Sequence, residues 1–415
     1  MAKSLYICYF GVREPLVQTQ VIPYLIEIMK DGIDVSLLTF EPEFKKRWSA
    51  VDIDEERARL AEKGIKWHAL EYHKRPSAPA TAYDIMKGAL LVRRLIAREG
   101  FDVLHCRVHV PAMIGAIARK ISRRKPKMLF DIRGLFPEEY TDAGIWPENG
   151  WLFRTAKRLD KWLMKESDGF VVLTEKARQL LFAGSEVSGT DPAGRPVAMI
   201  PCCADLSRFS RNGSNTRAAV RKRLGVENRT VAAYVGSFGG WYLSDELFDF
   251  LGAAREKDPK TFALILTQRD TEKVVTRLKD LGFEDSDFLV ESVKPTEIPD
   301  YLVAADYALS FIKHCYSKLG ASPTKIAEYL SCGVPIVANR GVGDIDELLA
   351  DDNVGVLLDG FDRDCYIKAL VEIDEIRKDA GSVQRCVESA VRRFDLSKVG
   401  GPRYRELYRT LLSSK

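Results

Sequence analysis

One short window of the chain gathers two hydroxyls, an ammonium and a carboxylate: Ser322-Pro323-Thr324-Lys325-Ile326-Ala327-Glu328. Ser322 is a good N-cap and Pro323 suits the first helical position, so a helix is predicted to begin here. The first turn of a helix leaves backbone N–H groups without partners. Together with the Ser322 and Thr324 hydroxyls and the Lys325 ammonium they would form an anion site. Lys325 and Glu328 are three apart and share a helical face, so one can meet a phosphate and the other a sugar hydroxyl. An ordinary capped helix with a surface Lys–Glu pair fits the same pattern. A second candidate is the turn Ser237-Phe238-Gly239-Gly240-Trp241, whose glycines allow backbone amides to approach a ligand closely.

The first half of the chain offers a different set. His105-Cys106-Arg107 and Asp131-Ile132-Arg133-Gly134 each end an apolar run that reads as a strand. Loops beyond the carboxyl ends of parallel strands are where such sheets bind ligands. Arg133 could hold an acceptor phosphate or the charge of a leaving group. A lone His105 is more often structural, and the Arg and Asp beside it raise its standing as a catalytic group. Gly11 and Arg13-Glu14 in the first loop are further candidates. His105 and His109 are four apart, but Val110-Pro111 argues against one helical face, and no metal site is expected. The stretch Arg119-Lys120-Ile121-Ser122-Arg123-Arg124-Lys125-Pro126-Lys127 holds six basic residues and no acid. The helix after it mixes Trp151, Leu152, Phe153 and Trp162 with Arg154, Lys157, Arg158 and Lys161. Anionic lipid attracts such surfaces, and a solvated helical face with its aromatics packed inward is the plain alternative. No RNA- or DNA-binding module accompanies these charges, so nucleic acid is not expected.

The elements that must position these residues follow from the hydrophobic pattern. Strands are predicted at Leu5–Phe10, Val35–Phe40, Lys66–Leu70, Val103–His105, Met128–Ile132, Gly169–Leu173 and Val197–Ile200. Helices are predicted between them, for example at Gln18–Lys30, Tyr83–Arg98, Ala112–Ser122 and Gly150–Lys165. Short apolar strands without alternation, separated by helices, are what a parallel sheet covered on both faces requires. The segment from Ile200-Pro201 through the Ser/Asn/Gly-rich residues to Thr216 reads as a linker. The rhythm then restarts, with strands near Thr230–Val235, Phe262–Thr267, Phe288–Val290, Tyr307–Ser310, Pro335–Ala338 and Val354–Leu357. The expectation is an α/β chain of two doubly wound domains, 1–200 and 201–399, facing across a cleft. A last helix at Pro402–Leu412, within 400–415, is expected to cross back to the first domain.

Totals agree with this reading. A length of 415 residues suits two domains, and 46% hydrophobic with 29% charged residues is ordinary for a globular protein. Charge is uneven, with 32 basic against 26 acidic residues up to position 200 and 31 against 33 beyond it. No run reaches the ~18 apolar residues of a membrane helix. The opening Met1-Ala2-Lys3-Ser4 leads directly into a strand without a signal-peptide pattern, and the eight cysteines lack a disulfide framework. A cytoplasmic location is expected.

Several of these pieces, in order, resemble family 4 glycosyltransferases of the GT-B fold. Glu328-Tyr329-Leu330-Ser331-Cys332-Gly333-Val334-Pro335-Ile336-Val337-Ala338 resembles the family's E-A-x-A-x-G-x-P-V-V-A helix–turn–strand. Phe10-Gly11 resembles its first glycine loop, Ile200-Pro201 through Asp205 and Phe209 its I-P-N-G-V-D-x-x-x-F lead-in to the second domain, and Val235-Gly236 the first strand and loop there. Tyr301 to Asp306 resembles its Y-x-x-A-D approach to a strand. The resemblance implies a retaining glycosyltransferase that works without a metal or cofactor, in assembly of a bacterial surface polysaccharide. Its partners would be a nucleotide-sugar donor, UDP- or GDP-linked by preference, and a glycan or lipid-linked acceptor; the basic stretch Arg119–Lys127 adds an anionic inner-membrane surface as a further candidate partner. Glu328 then corresponds to the second Glu of the family's E-x7-E motif, which binds the donor ribose.

Two departures stand out. Gly320 occupies the place of the motif's first Glu, and Ser237 and Tyr242 occupy the places of the Arg and Lys of a phosphate clamp. Lys325 with the Ser322–Thr324 turn is the expected replacement, followed by Arg269. Ser237 and Gly239 would contribute backbone amides, and Val293 would border the base by position. His105 and Arg133 are the candidate catalytic groups, with Gly11, Arg13, Arg107 and Asp131 on the acceptor side. Rival readings are a nucleotide-sugar epimerase of the same fold, a CMP-sugar transferase, and a non-catalytic sugar-nucleotide-binding protein.

Overall fold

A computed structural model describes residues 1–209 and 216–413, so the Ser/Asn/Gly-rich part of the expected linker, at 210–215, lies outside the described residues. The chain divides into two compact units, Met1–Pro201 with Val399–Lys415, and Cys202–Lys398.

The first unit holds seven strands: β1 (Lys3–Ile7), β2 (Asp34–Pro42), β3 (Ile65–Tyr72), β4 (Val103–Arg107), β5 (Lys127–Asp131), β6 (Gly169–Val172) and β7 (Val197–Met199). They form one parallel sheet in the order β3-β2-β1-β4-β5-β6-β7. Parallel strands need crossover helices, and these bury Ala89, Val92, Ile96, Ala112, Ile114 and Leu163 against the apolar strands. Each such side chain contributes about 1.5–3 kcal/mol where it is a full-sized aliphatic one. The helix expected as a single element at Gln18–Lys30 is two helices, Pro15–Gln20 and Ile22–Met29. Pro23 is the reason: it lacks an N–H and suits only the first turn of a helix, so a new helix begins around it.

The chain's last helix, Gly401–Ser413, belongs to this unit. Tyr404, Leu407, Tyr408 and Leu411 recur at helical spacing and are all buried. Arg405 on its flank meets Glu27 at 2.7 Å.

The second unit holds β8 (Thr230–Val235), β9 (Thr261–Leu266), β10 (Phe288–Glu291), β11 (Tyr307–Ser310), β12 (Ile336–Asn339) and β13 (Gly355–Leu358). Their order is β10-β9-β8-β11-β12-β13, again all parallel. In both units the strand order reverses direction beside the first strand, between β1 and β4 and between β8 and β11. Such a reversal sends the neighbouring loops to opposite faces and leaves a crevice at the carboxyl ends, where doubly wound sheets take ligands. The candidate residues must therefore be sought there.

Candidate functional site

In the second unit β8 ends at Val235, and Gly236 follows with φ +141°. A Cβ on Gly236 would lie 2.9 Å from Lys325 Nζ, so glycine is what lets this loop and the lysine coexist. Lys325 sits in the first turn of the Thr324–Ser331 helix and is only 6% exposed. Its Nζ lies 4.2 Å from the Tyr234 ring centre and 4.3 Å from that of Tyr242, and has no hydrogen-bond partner among the described residues. A desolvated ammonium between two ring faces gains roughly 2 kcal/mol from them, less than the water it has lost. Burial accordingly pushes the Lys325 ammonium down to about 7. Tyr242, at a position where the family resemblance puts a basic residue, thus supplies a ring that walls in the lysine.

One turn along the same helix Glu328 is partly exposed, and burial of its carboxyl pushes it up to about 7 against the opposing charges of Arg208 and Lys325. Arg208 is a residue the sequence reading missed. It lies in the short 3-10 turn Leu206–Phe209, with its Nη2 donating to the carbonyl of Pro295 at 2.8 Å. Its position just before Phe209 in the lead-in motif was the available signal. The helix N-cap is Pro323, not Ser322, and no side chain caps the first turn. Ser322 is engaged elsewhere: its Oγ accepts from the Cys202 N–H at 3.1 Å. Ser322 and Thr324 therefore differ in standing, since only Thr324 lies in the helix's open first turn.

Ser237, Gly239 and Arg269 are exposed in loops at the carboxyl ends of β8 and β9. The Gly239 N–H donates to Ser244 Oγ at 2.8 Å, so as it stands that amide is occupied and not offered to a ligand. Val293 is buried, and its carbonyl accepts from Gln268 Nε2 at 2.6 Å, which ties the loops after β9 and β10 together.

In the first unit the structure does bring His105, Arg107, Asp131 and Arg133 together, but under the final helix. His105 is 0% exposed, with Nδ1 at 2.9 Å from Tyr408 Oη and Nε2 at 3.5 Å from Asp131. The Asp131 carboxylate, also fully buried, meets Arg133 Nε at 2.8 Å and accepts from Tyr404 Oη at 3.1 Å. Arg107 reaches Tyr6 Oη and the carbonyl of Gln20 at 3.5 and 3.4 Å. Burial would raise the Asp131 carboxyl; the charges of Arg133, His105 and Arg107 outweigh it and hold it well below the usual range. Burial also lowers the His105 imidazole despite Asp131. His105 and Arg133, the expected catalytic groups, thus lie beneath the last helix. His105 meets Tyr408 of that helix and Arg133 Nη2 donates to its Tyr404 Oη at 2.7 Å, so both side chains help to hold the helix in place.

One concave feature of the first unit lies at the reversal beside β1. A pocket of about 280 Å³ is lined by Tyr9, Phe10, Gly11, Phe40, Tyr72 and Val108, among others. Val108 carries φ +62°, a strained backbone for a β-branched residue, and strain of that kind collects at functional loops. Gly11 allows the loop to close over Glu41: an added Cβ would lie 2.8 Å from its Oε2. The Val12 N–H donates to Glu41 at 2.9 Å, and burial pushes this carboxyl up to about 7. Arg13 is turned aside, 3.9 Å over the Trp48 ring and 3.4 Å from Asp52. The aromatics Tyr9 and Tyr72 were missed in the sequence, although the Tyr9-Phe10 pair before Gly11 was visible there.

Residues 24–202 match the model of the glycosyl transferase 4-like domain. The first unit carries a glycosyl transferase 4-like domain. No curated protein matches in sequence. Among solved structures, a glycosyltransferase from Rickettsia africae is 14% identical over 100% of this chain and 99% of its own, with a TM-score of 0.71. Anabaena HepE, solved in complex with UDP-glucose, is 18% identical with full coverage of both chains and a TM-score of 0.65. WaaG, a glycosyltransferase involved in lipopolysaccharide biosynthesis, is 14% identical over 99% of this chain and 100% of its own, TM-score 0.66. At these identities the likeness is one of fold. The fold is GT-B, two Rossmann-like units in one chain, the first of which matches the glycosyl transferase 4-like domain.

The basic stretch 119–127 is less free than its composition suggests. Arg119 pairs with Asp168, Lys120 with Glu166 at 2.8 Å and Arg124 with Asp102 at 2.5 Å, while Lys125 donates to the carbonyls of Arg119 and Lys120. Three of its six charges are answered by acids distant in sequence. Trp162 and Met164 of the following helix pack inward. No helix among the described residues is long and apolar enough to cross a membrane.

Proposed function

We propose that this protein is a glycosyltransferase that moves a sugar from a nucleoside-diphosphate donor, UDP- or GDP-linked, onto a glycan or lipid-linked acceptor with retention of configuration. The observation that carries the donor reading is Lys325: a buried ammonium, without a hydrogen-bond partner among the described residues, at the strand-order reversal of the second unit and in the open first turn of a helix. Leaving such a group without an anion is costly, and a phosphate would answer both the ammonium and the free helix N–H groups. Glu328, one turn on, is placed to accept from vicinal ribose hydroxyls. HepE was solved with UDP-glucose, which supports a diphosphate donor for this chain. Retention follows from the family resemblance.

Charge on the leaving phosphates would be met by Lys325 and the helix amides, with no metal ion or cofactor required. The acceptor would lie against the aromatic pocket of the first unit, where Tyr9 and Phe10 can stack on a sugar face. Work on a lipid-linked acceptor would place the enzyme at the cytoplasmic face of a membrane, in surface-polysaccharide assembly.

Titrating UDP, GDP and CMP against the native protein and Lys325→Ala tests the donor assignment. Diphosphates should bind, and the variant should lose about tenfold or more, since a hydrogen bond to a charged group contributes about 1.5–3 kcal/mol. Tight CMP binding with indifference to both diphosphates would transfer the reading to a CMP-sugar, and equal affinity in the variant would remove Lys325 from the site.

A further inference from the structure

The helix Ser77–Glu99 is 23 residues, about 34 Å, long. Its inner face buries Ala80, Asp84, Gly88, Ala89, Val92, Leu95 and Ile96 in the first unit. Its outer face is unusual in two ways. Tyr83, Met86 and Leu90 are 55%, 51% and 45% exposed and follow one another at helical spacing, where solvated helices carry polar groups. The exposed residues Arg93, Arg94 and Arg98 continue the same face, and no exposed position of the helix is acidic. The acids it does contain are spent: Asp84 is fully buried against His73 and Tyr9, and Glu99 pairs with Lys66.

Beside the basic end opens a groove of about 780 Å³, lined by Leu90, Arg93, Arg94, Ile121, Arg123 and Arg124, among others. Ile121 is 43% exposed there, and Arg124 leans on Asp102. Arg93, Arg94 and Arg123 make no ion pair among the described residues.

We propose that this face docks the enzyme on an anionic lipid surface, with Tyr83, Met86, Leu90 and Ile121 entering the headgroup layer and the groove arginines meeting lipid phosphates. Charge complementarity selects this occupant. A lipid surface accepts aliphatic groups and carries dense negative charge side by side, which is the pairing this face presents. A second copy of the chain meeting the same patch across a two-fold would set arginines near arginines. Nucleic acid would use the arginines but leave Met86, Leu90 and Ile121 without purpose. The surface differs from the one suggested by composition, because Arg119, Lys120 and Arg124 are tied to acids while the arginines of the long helix are not. The donor and acceptor pockets play no part in it, so the proposal stands apart from the transfer reaction.

Sedimentation with vesicles of phosphatidylcholine containing about one third phosphatidylglycerol measures the docking, against pure phosphatidylcholine. The native protein should bind the anionic vesicles at low salt and release as salt rises. Each basic residue near such a surface contributes about a fivefold factor, so Arg93→Gln, Arg94→Gln and Arg123→Gln together should cost about a hundredfold. Met86→Ser with Leu90→Ser should weaken binding at every salt concentration. These positions are exposed, so the fold should survive, and unaltered melting would confirm it. Removing Arg154, Arg158 and Lys161 instead should change little; if those residues carry the binding, the docking face is the Trp151–Glu166 helix and the proposal falls. It falls equally if the native protein ignores anionic vesicles at low salt, if it binds RNA or DNA through the same three arginines while ignoring vesicles, or if Leu90→Ser dissolves a dimer that forms without lipid.

Discussion

Lys325 and Glu328 show how far a side chain's charge depends on what surrounds it. Both titrate near 7, from opposite directions and for one reason, loss of water. For the lysine, the folded value lies below the unfolded one, so its contribution to stability is present above about 10.5 and lost as pH falls through 7. For the glutamate, the folded value lies above, so its contribution is present below about 4.5 and lost as pH rises through 7. The pair is therefore least comfortable when both are charged without a ligand. A bound phosphate favours the charged lysine, so nucleotide binding should take up a proton near pH 8. Calorimetry in buffers of different ionisation heat should show that uptake, and affinity should weaken severalfold to tenfold from pH 7 to 8.5. The uptake should vanish in Lys325→Met; a native protein that binds nucleotide without proton uptake would leave the lysine charged from the outset. The types Lys and Glu at this spacing were legible in the sequence. Their burial was not, because Tyr234 and Tyr242 wall the lysine in from a strand and a loop some ninety residues earlier in the chain.

At the scale of elements the last helix decides the fate of several candidate residues. Its periodic Tyr404, Leu407, Tyr408 and Leu411 predict an apolar face, yet two of the four bring hydroxyls into a charged sheet surface. Ser4, His105, Asp131 and Arg133 all find partners there. Removing one hydroxyl while leaving the buried charges in place should cost about 1–3 kcal/mol. Tyr404→Phe is thus expected to lower the melting temperature by several degrees while nucleotide affinity stays native. His105→Ala should behave alike, with turnover per folded molecule little changed. A large fall in turnover at unchanged melting temperature would instead assign His105 to the chemistry. Sequence spacing put His105, Arg107, Asp131 and Arg133 at strand ends, where they are; it could not show that a helix nearly three hundred residues later closes over them.

The whole molecule is two sheets of one kind with unequal claims on the chain. The second unit is a single stretch, Cys202–Lys398, whereas the first needs Val399–Lys415 to cover its buried charges. Residues 202–398 expressed alone should therefore melt cooperatively and bind nucleotide as the full chain does. Residues 1–201 alone should be poorly folded and gain stability when a peptide of residues 399–415 is added. Circular dichroism melts check both, and a stable 1–201 fragment indifferent to the peptide would show that the helix is dispensable. The amino-acid sequence by itself determined the α/β rhythm, the parallel sheets and nearly every strand, because buried strands and amphipathic helices are written in local runs of apolar residues. It also marked the helix that begins after Pro323. The sheet order, the enclosure of Lys325, the diversion of Ser322 to Cys202 and the burial of His105 were decided by tertiary structure alone. Each depends on which distant segment removes water from a polar group, and local spacing carries no record of that.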